Sequence, residues 1–266
     1  MKYSTIDTAL YAARTAGDFL KEKVHKLLDH EIEQKAEFDF VTQTDKESEN
    51  LVVNIIKSRH PGHQFLAEEG HRDQQSEYRW IIDPLDGTTN FIHRVPVYSV
   101  SIALQHHNEI VLGVVYDPNQ KECFAAEKGG GAFLNDERVR VSDISDPSRA
   151  LLATGYPFRT KELIDIYLQS FKNLFQQFSG IRRAGSAAMD LCYVACGRYD
   201  GFWELNLKPW DFAAAQRIIL EAGGKMTDFA GGDQWLETGN IIAANSRLYK
   251  QFSTIIQHSF KGVVDR

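Results

Sequence analysis

The sequence predicts a mixed α/β (α+β) fold, because amphipathic helical patterns and short apolar strand-like runs occur in both halves of the chain. Its 266 residues are 43% hydrophobic and 25% charged, which is ordinary for a globular protein. A polar segment at residues 145–148 marks a change of pattern. We therefore expect an N-terminal α+β half (1–146) and a C-terminal α/β half (147–266), packed tightly as one unit.

Two helices and six strands are expected in the N-terminal half. Residues 4–28 carry apolar side chains mostly three or four positions apart, which predicts a long amphipathic helix. A Thr44-x-x-Glu47 capping box predicts the start of a second helix, and Pro61-Gly62 predicts its end. Strand-like runs follow at 64–67, 79–83, 98–105, 110–116, 122–126 and 132–134. The last four runs flank short polar turns and are expected to form two hairpins.

Helices and strands alternate in the C-terminal half. Helical patterns cover residues 162–178, 186–195, 209–222 and 246–258. Pro209 in a first turn and Gly223-Gly224 after a last turn are typical signals of helix boundaries. Strand-like runs occur at 151–154, 200–204, 225–229 and 240–244. This alternation completes the pattern expected of an α/β protein.

Composition excludes several classes of function. A net charge of −6 gives no basic footprint for nucleic acid as the primary ligand. No apolar run approaches the ~18 residues that span a membrane, and the N-terminus lacks a secretory core, so we expect a cytoplasmic protein without a membrane partner. The three cysteines are expected to be buried small hydrophobes. The nine histidines show no metal-ligand spacing, and His106-His107 is expected at the surface where a strand ends.

The most informative motif is the run DPLDGTTNF at residues 83–91, which follows the apolar residues 80–82. It places two carboxylates, Asp83 and Asp86, where a strand enters a turn. Clustered oxygen ligands of this kind suit Mg²⁺. The segment 87–89 adds backbone N–H groups and hydroxyls that could hold a phosphate. A metal and a phosphate together indicate phosphoryl-transfer chemistry.

Two further acidic features stand at the ends of predicted elements. Glu68-Glu69 follows a strand, and Asp211 lies in the first turn of a helix. Taken singly, the Glu pair fits a solvated loop, and Asp211 fits the preference of helix N-termini for acids. Asp83-x-x-Asp86 alone fits a polar turn with Asx hydrogen bonds. The combination of all three features is the stronger indication of a site.

With these motifs, the chain resembles the inositol monophosphatase family of lithium-sensitive, Mg²⁺-dependent phosphatases over roughly residues 5–250. The blocks that carry the resemblance are DFVTQTD (39–45), EE (68–69), DPLDGTTNF (83–91), GSAAMDL (185–191), WDFAA (210–214) and EAGG (221–224). ATGYPF (153–158) and RRAGS (182–186) resemble bacterial inositol-1-monophosphatases in particular. The resemblance implies a layered αβαβα sandwich of the inositol monophosphatase and fructose bisphosphatase type, usually a homodimer.

The resemblance also implies a site for two to three Mg²⁺ ions. The implied ligands are four side chains and one backbone carbonyl, those of Glu68, Asp83, Asp86, Asp211 and Leu85. Glu68 and Asp83 would share the tightest ion, and Asp83, Asp86 and Asp211 would hold the second. Lithium inhibition is expected, because the ligand set of this second site is complete.

Catalytic and substrate-binding roles follow from the same resemblance. Thr88 and Glu68 would orient the attacking water, with Asp45 hydrogen-bonded to Thr88 behind it, and the Gly87 and Thr88 N–H groups would bind phosphate. The implied substrate-binding residues are Glu68, Leu85, Asp86, Gly87, Thr88, Arg182, Arg183, Gly185, Ser186, Ala187, Glu204 and Asp211. For the two arginines, the resemblance places one or the other close to the substrate.

The expected reaction is Mg²⁺-dependent hydrolysis of a small phosphate monoester, with myo-inositol 1-phosphate as the leading substrate. Fructose 1,6-bisphosphatase, histidinol-phosphatase and 3′-phosphoadenosine 5′-phosphate phosphatase activities remain alternatives, since relatives differ in the loops that correspond to 156–161 and 182–188. The motif around Asp86 also resembles phosphatases with an aspartyl nucleophile. In those enzymes an Asp stands two residues earlier, where this chain has Pro84, so direct attack by water is expected.

A function of a different class is a regulatory binding protein, since bacterial relatives of this type associate with the transcription machinery and with ribosomal RNA synthesis. Nothing in this acidic sequence marks a surface for such a partner. The complete set of implied metal ligands argues that catalysis is retained. The two roles are compatible.

Overall fold

The computed structural model describes residues 3–28, 30, 32–36, 39–73 and 76–264. Their first part contains α1 (Thr5–Lys23), β1 (Ile32–Ala36), β2 (Asp39–Thr42), α2 (Gln43–Arg59), β3 (Gln64–Ala67), β4 (Tyr78–Asp86), α3 (Thr88–Ile92), β5 (Ser99–His106), β6 (Glu109–Asp117), β7 (Glu122–Glu127), β8 (Gly131–Leu134) and β9 (Glu137–Val139). The second part contains β10 (Leu151–Thr154), α4 (Ile164–Phe175), β11 (Gly180–Arg182), α5 (Ala187–Ala195), β12 (Gly201–Glu204), α6 (Pro209–Glu221), β13 (Lys225–Thr227), α7 (Trp235–Thr238), β14 (Ile241–Ala244) and α8 (Tyr249–Phe260).

Two larger sheets organise these elements. Strands β3 to β9 form a seven-stranded sheet in sequence order, in which β3 and β4 are parallel and the other neighbours are antiparallel. The five-stranded sheet has the order β11-β10-β12-β14-β13, with β10 parallel to both of its neighbours. A third, two-stranded sheet pairs β1 with β2. Both predicted hairpins, β5–β6 and β7–β8, are confirmed.

Three apolar clusters separate the layers. Helices α1 and α2 cover one face of the seven-stranded sheet, and α5 and α6 lie between the two large sheets. Helices α4 and α8 cover the outer face of the five-stranded sheet. Alternation along β4 serves two of these layers, because Trp80 and Ile82 pack toward α1 and α2 whereas Ile81 packs toward α5 and α6. The layered αβαβα arrangement that the resemblance implies is therefore confirmed.

Some local expectations were wrong. Helix α2 begins at Gln43, so its capping box is formed by Thr42 and Asp45 rather than by Thr44 and Glu47. The Asp45 carboxylate accepts the Thr42 N–H at 2.8 Å. Asp45, the third residue of the helix, thus makes the hydrogen bond to the N-cap backbone that a Glu usually makes in a capping box. The segment after Gly87, expected as a turn, forms the short helix α3. Strands β1, β2, β9 and β11 and helix α7 were not predicted.

The structure also bears on the expectations about membrane spans, cysteines and the division of the chain into two halves. The described residues include no helix that is both long enough and apolar enough to cross a bilayer. Cys123 and Cys192 are buried, as expected, whereas Cys196 is only half-buried, and all three are free thiols. The core between the large sheets draws residues from both predicted halves, such as Val115 and Phe202. The division at residue 146 stays a prediction.

Candidate active site

The end of β4 and the turn after it carry the first group of candidate residues. Strand β4 pairs with β5 at Asp83 and again at Asp86, with an irregularity between the two positions. The Asp83 carboxylate accepts the Leu85 N–H at 3.0 Å, which stabilises this local break in the ladder. The chain then turns at Gly87, whose φ of 93° is left-handed. A Cβ at this position would lie 2.9 Å from the Val97 carbonyl oxygen, so only glycine fits.

Other elements bring their acidic side chains to the same place. Glu68 follows β3, the parallel neighbour of β4, and Glu204 ends β12 in the other large sheet. Asp211 lies in the first turn of α6 between the sheets. One pocket unites the predicted residues Glu68, Asp83, Leu85, Asp86, Gly87, Thr88, Arg183, Gly185, Ser186, Ala187, Glu204 and Asp211. The structure thus assembles carboxylates that are up to 143 positions apart in sequence (68 to 211).

Two predicted residues do not line this pocket. Asp45 lies behind it, fully buried, with Oδ1 3.0 Å from the Thr88 hydroxyl. Its other oxygen accepts the Thr42 hydroxyl at 2.5 Å. Arg182 is exposed at the end of β11, and its guanidinium contacts the Ile181 carbonyl. Of the two arginines that the resemblance offered, the structure therefore places Arg183 in the pocket.

The Asp86 carboxylate connects the seven-stranded sheet to the N-terminus of helix α5. Its Oδ2 accepts the Ser186 hydroxyl at 2.5 Å and the Ala188 N–H at 2.9 Å. Ser186 is also the N-cap of α5, where its Oγ accepts the Met189 N–H. The positive end of the α5 dipole thus faces this carboxylate. These contacts orient Asp86 without supplying a full countercharge.

Burial is the main cause of perturbed pKa values in this pocket. It raises the pKa of Asp86 to about 6, that of Asp211 to about 7 and that of Glu204 to about 8. Burial also raises the pKa of Asp83 well above its usual range, with further increases from nearby Glu68, Asp86 and Asp211. Because like charges repel at short range, this group favours bound protons or bound cations over free carboxylates.

The donor set fits a divalent metal. Four of the carboxylates that line the pocket, those of Glu68, Asp83, Asp86 and Asp211, offer only oxygen donors, and the Leu85 carbonyl adds a fifth hard ligand. Arg159 approaches one of them, with its Nη1 3.5 Å from Asp211. Arg183 also lines the pocket, and these two cations leave most of the negative charge of the pocket carboxylates to be compensated. The cluster of carboxylates, together with the raised pKa values of Asp83, Asp86 and Asp211, therefore matches a site for Mg²⁺.

Several residues of the pocket were not predicted individually. Arg159 lies in the 156–161 segment that was expected to vary among relatives, and only its contact with Asp211 identifies it. Asp190 lies in the matching block 185–191, where its burial strongly raises its pKa. Gly155 allows Glu204 to approach closely, because a Cβ there would lie 1.9 Å from the Glu204 carboxylate. Each of these roles depends on a contact between distant parts of the chain.

The fold and the pocket define a class, that of layered αβαβα proteins with a buried acidic site between two sheets. A model of the inositol monophosphatase family matches residues 2–260. The chain belongs to the inositol monophosphatase family.

Individual relatives agree with this assignment. A putative Nus factor SuhB of Neisseria meningitidis serogroup B is 44% identical over 253 residues, which cover 94% of this chain and 97% of the relative. The crystal structure of the extragenic suppressor protein suhB of Bartonella henselae has a TM-score of 0.91 and 40% identity, covering 98% of this chain and all of that one. An inositol monophosphatase structure from Anabaena has a TM-score of 0.85 and 39% identity, covering 95% of both chains.

Proposed function

We propose that the protein is a Mg²⁺-dependent phosphatase of small phosphate monoesters, with myo-inositol 1-phosphate as its leading substrate. The observation that carries this proposal is the convergence of Glu68, Asp83, Asp86 and Asp211 in one buried pocket. The Anabaena relative, an inositol monophosphatase by name, supports the choice of substrate. Fructose 1,6-bisphosphate, histidinol phosphate and 3′-phosphoadenosine 5′-phosphate remain the alternative substrates.

In this proposal the four carboxylates and the Leu85 carbonyl hold two to three Mg²⁺ ions. When bound, these ions would offset the charge of the phosphate, activate a water and stabilise the leaving alkoxide. The protein's own groups orient the reactants. The Gly87 and Thr88 N–H groups face the phosphate, and Glu68 and the Thr88 hydroxyl position the attacking water.

The substrate's hydroxyls would contact Glu204 and the 185–187 segment, which line the same pocket together with Arg183. The Arg183 guanidinium stacks 5.3 Å from the Tyr156 ring centroid and lowers the otherwise raised pKa of Glu204. A polyol would thus meet both hydrogen-bond acceptors and donors, as selective recognition of hydroxyl groups requires.

The test is phosphate release by the purified protein from the four candidate substrates, each with Mg²⁺ and with chelator. Mg²⁺-dependent turnover that is highest with inositol 1-phosphate would support the proposal. If another substrate is turned over fastest, the proposed metal mechanism stands and that compound becomes the proposed substrate. No turnover by folded, Mg²⁺-loaded protein would refute the proposed activity for these substrates.

The Thr88 hydroxyl offers a specific prediction. Thr88→Ala removes the group that connects the pocket to buried Asp45, and we expect kcat to fall by about a hundredfold or more. Thr88→Ser keeps the hydroxyl and should recover most of the activity. Thr15→Ala, on the exposed face of α1, is the control and should behave as wild type. Equal losses in the Ala and Ser variants would contradict a role for the hydroxyl.

Lithium inhibition is a second prediction of the proposed metal site. If Asp83, Asp86 and Asp211 together hold an ion, Li⁺ at millimolar concentration should compete there and lower turnover, whereas the same concentration of Na⁺ should not. Initial rates at fixed Mg²⁺ would measure the effect. Rates that do not change with lithium would count against this assignment of the second ion.

A role in transcription is a further candidate, since relatives 43–44% identical to this chain are named Nus factor SuhB. We propose binding to the transcription machinery as an additional, compatible role. Immobilised wild-type protein and Asp83→Asn would be incubated with lysate. Recovery of RNA polymerase or a transcription factor on both would support a role independent of catalysis, and recovery on neither would contradict it.

A further inference from the structure

A cluster of possible metal ligands lies far from the acidic pocket. Glu77 precedes β4, whereas His106 ends β5 and His107 begins the following turn. One ligand atom from each of these three side chains, a carboxylate oxygen or a ring nitrogen, lies within 4.8 Å of the others. His106 Nε2 and Glu77 Oε1 are 3.5 Å apart. Adjacent ligands in a tetrahedral zinc site are separated by about 3.4 Å, given bonds of about 2.0–2.1 Å.

The backbone holds this cluster together. The His107 N–H donates to the Glu77 carbonyl oxygen at 2.8 Å, which joins the two segments. His107 has a φ of 53°, a left-handed conformation that is uncommon outside glycine and that reverses the chain beside Glu77. The β4–β5 register also places Tyr78 opposite His106. Strand pairing therefore brings Glu77 beside the consecutive residues His106 and His107.

A stack of aromatic rings also contacts His106. Its ring lies 4.4 Å from the Tyr78 ring with an interplanar angle of 11°. Tyr78 in turn stacks on His63 at 4.8 Å, and His63 Nδ1 accepts the Trp80 indole N–H at 3.0 Å. This stack limits the orientations of the His106 imidazole. Rings held in this way lose less conformational entropy when they bind an ion.

A surface ion pair explains only part of this arrangement. An exposed pair between His106 and Glu77 is worth little on its own and needs no third group. The second imidazole, that of His107, supplies the third ligand of a set with two nitrogens and one carboxylate. Such a set suits Zn²⁺, whereas the oxygen-only pocket suits Mg²⁺.

We propose that Glu77, His106 and His107 form a Zn²⁺ site, with a fourth position open to water or to a donor from another molecule. The site lies at the opposite end of β4 from Asp83. Glu77 and Asp83 are six positions apart along an extended chain, which corresponds to about 20 Å. Zinc at this position would not contact the acidic pocket, so the proposal does not depend on the phosphatase activity.

The test is a zinc titration of tag-free protein in excess Mg²⁺, with a chromophoric chelator as competitor. We expect one Zn²⁺ per chain, and at least about tenfold weaker binding in both Glu77→Gln and His107→Asn. Asparagine tolerates the left-handed backbone at position 107, so the second variant should fold normally. His25→Asn changes an exposed histidine elsewhere and should bind zinc as the wild type does.

A second readout separates this site from the acidic pocket. Co²⁺ bound in a tetrahedral site with nitrogen ligands gives visible absorption, which His107→Asn should lose and Asp83→Asn should retain. Absence of bound zinc in the wild type would overturn the proposal. So would zinc binding of equal strength in the wild type and in both cluster variants, because the ion would then lie elsewhere.

Discussion

Replacing Asp83 with Asn is expected to lower Mg²⁺-dependent phosphate release by about a thousandfold or more. Asp83 is fully enclosed at the end of β4, and the proposed metal site assigns it to two ions. The Asn side chain has a shape similar to that of the Asp carboxylate but carries no charge, so it would hold these ions weakly. Loss of several kcal/mol of metal-based stabilisation corresponds to this factor at about 1.4 kcal/mol per tenfold. The measurement is kcat with inositol 1-phosphate over a range of Mg²⁺ concentrations.

The same substitution should act on stability in the opposite direction. In metal-free protein, Asp83 adds charge to a buried group that already contains Glu68, Asp86 and Asp211. A neutral Asn removes this repulsion, so the melting temperature in chelator should rise or stay constant. Asp233→Asn, an exposed position outside the pocket, is the matched control for both measurements. An active Asp83→Asn protein, or one that loses activity only because it unfolds, would contradict the role given to Asp83.

The parts of this site that could be predicted share one property, which is that local sequence encodes them. Asp83 and Asp86 are separated by three positions at a strand end, and Asp211 follows Pro209 in a helix start. Strand and helix patterns place such residues at element ends without knowledge of the whole fold. Their grouping into one pocket came from the resemblance to a family, since no local pattern shows that β3, β4, β12 and α6 converge.

The features that were missed depend on contacts between segments distant in sequence. Arg159 pairs with Asp211 across 52 positions (159 to 211), and Glu77 meets His106 across 29 (77 to 106). The histidines show no metal-ligand spacing in the sequence, because the third ligand of the candidate zinc site, Glu77, comes from the segment that precedes β4. Local propensity does not predict β11 either, because its three residues form a strand only by pairing with β10.

The pocket also makes the metal-free protein sensitive to pH, which is the second large effect that we expect. Unfolded Asp and Glu titrate near about 4. In the folded chain burial raises the pKa of Asp86 to about 6, that of Asp211 to about 7 and that of Glu204 to about 8. Between the unfolded-state pKa values and these raised folded-state values, the folded state binds more protons than the unfolded state. The free energy of unfolding must therefore fall as the pH rises through this window.

The size of the effect follows from the same pKa values. For Asp86 alone, a change from 3.8 to about 6 corresponds to about 3 kcal/mol, at about 1.36 kcal/mol per unit. Bound Mg²⁺ would replace the protons as the countercharge, so it should stabilise the protein more at about pH 8 than at about pH 5. Urea unfolding at both pH values, once in chelator and once in Mg²⁺, would measure how the free energy of unfolding changes with pH in each condition.

Glu204→Gln is the informative variant for this experiment. Glu204 is not among the proposed metal ligands, yet burial raises its pKa above those of Asp86 and Asp211, so its removal should flatten the pH dependence in chelator between about pH 6 and about pH 8. Mg²⁺ should still stabilise this variant, because all the proposed ligands remain. If chelated wild-type protein instead became more stable from about pH 5 to about pH 8, the buried carboxylates would have to be compensated by groups of the protein itself, and the need for metal in this pocket would disappear.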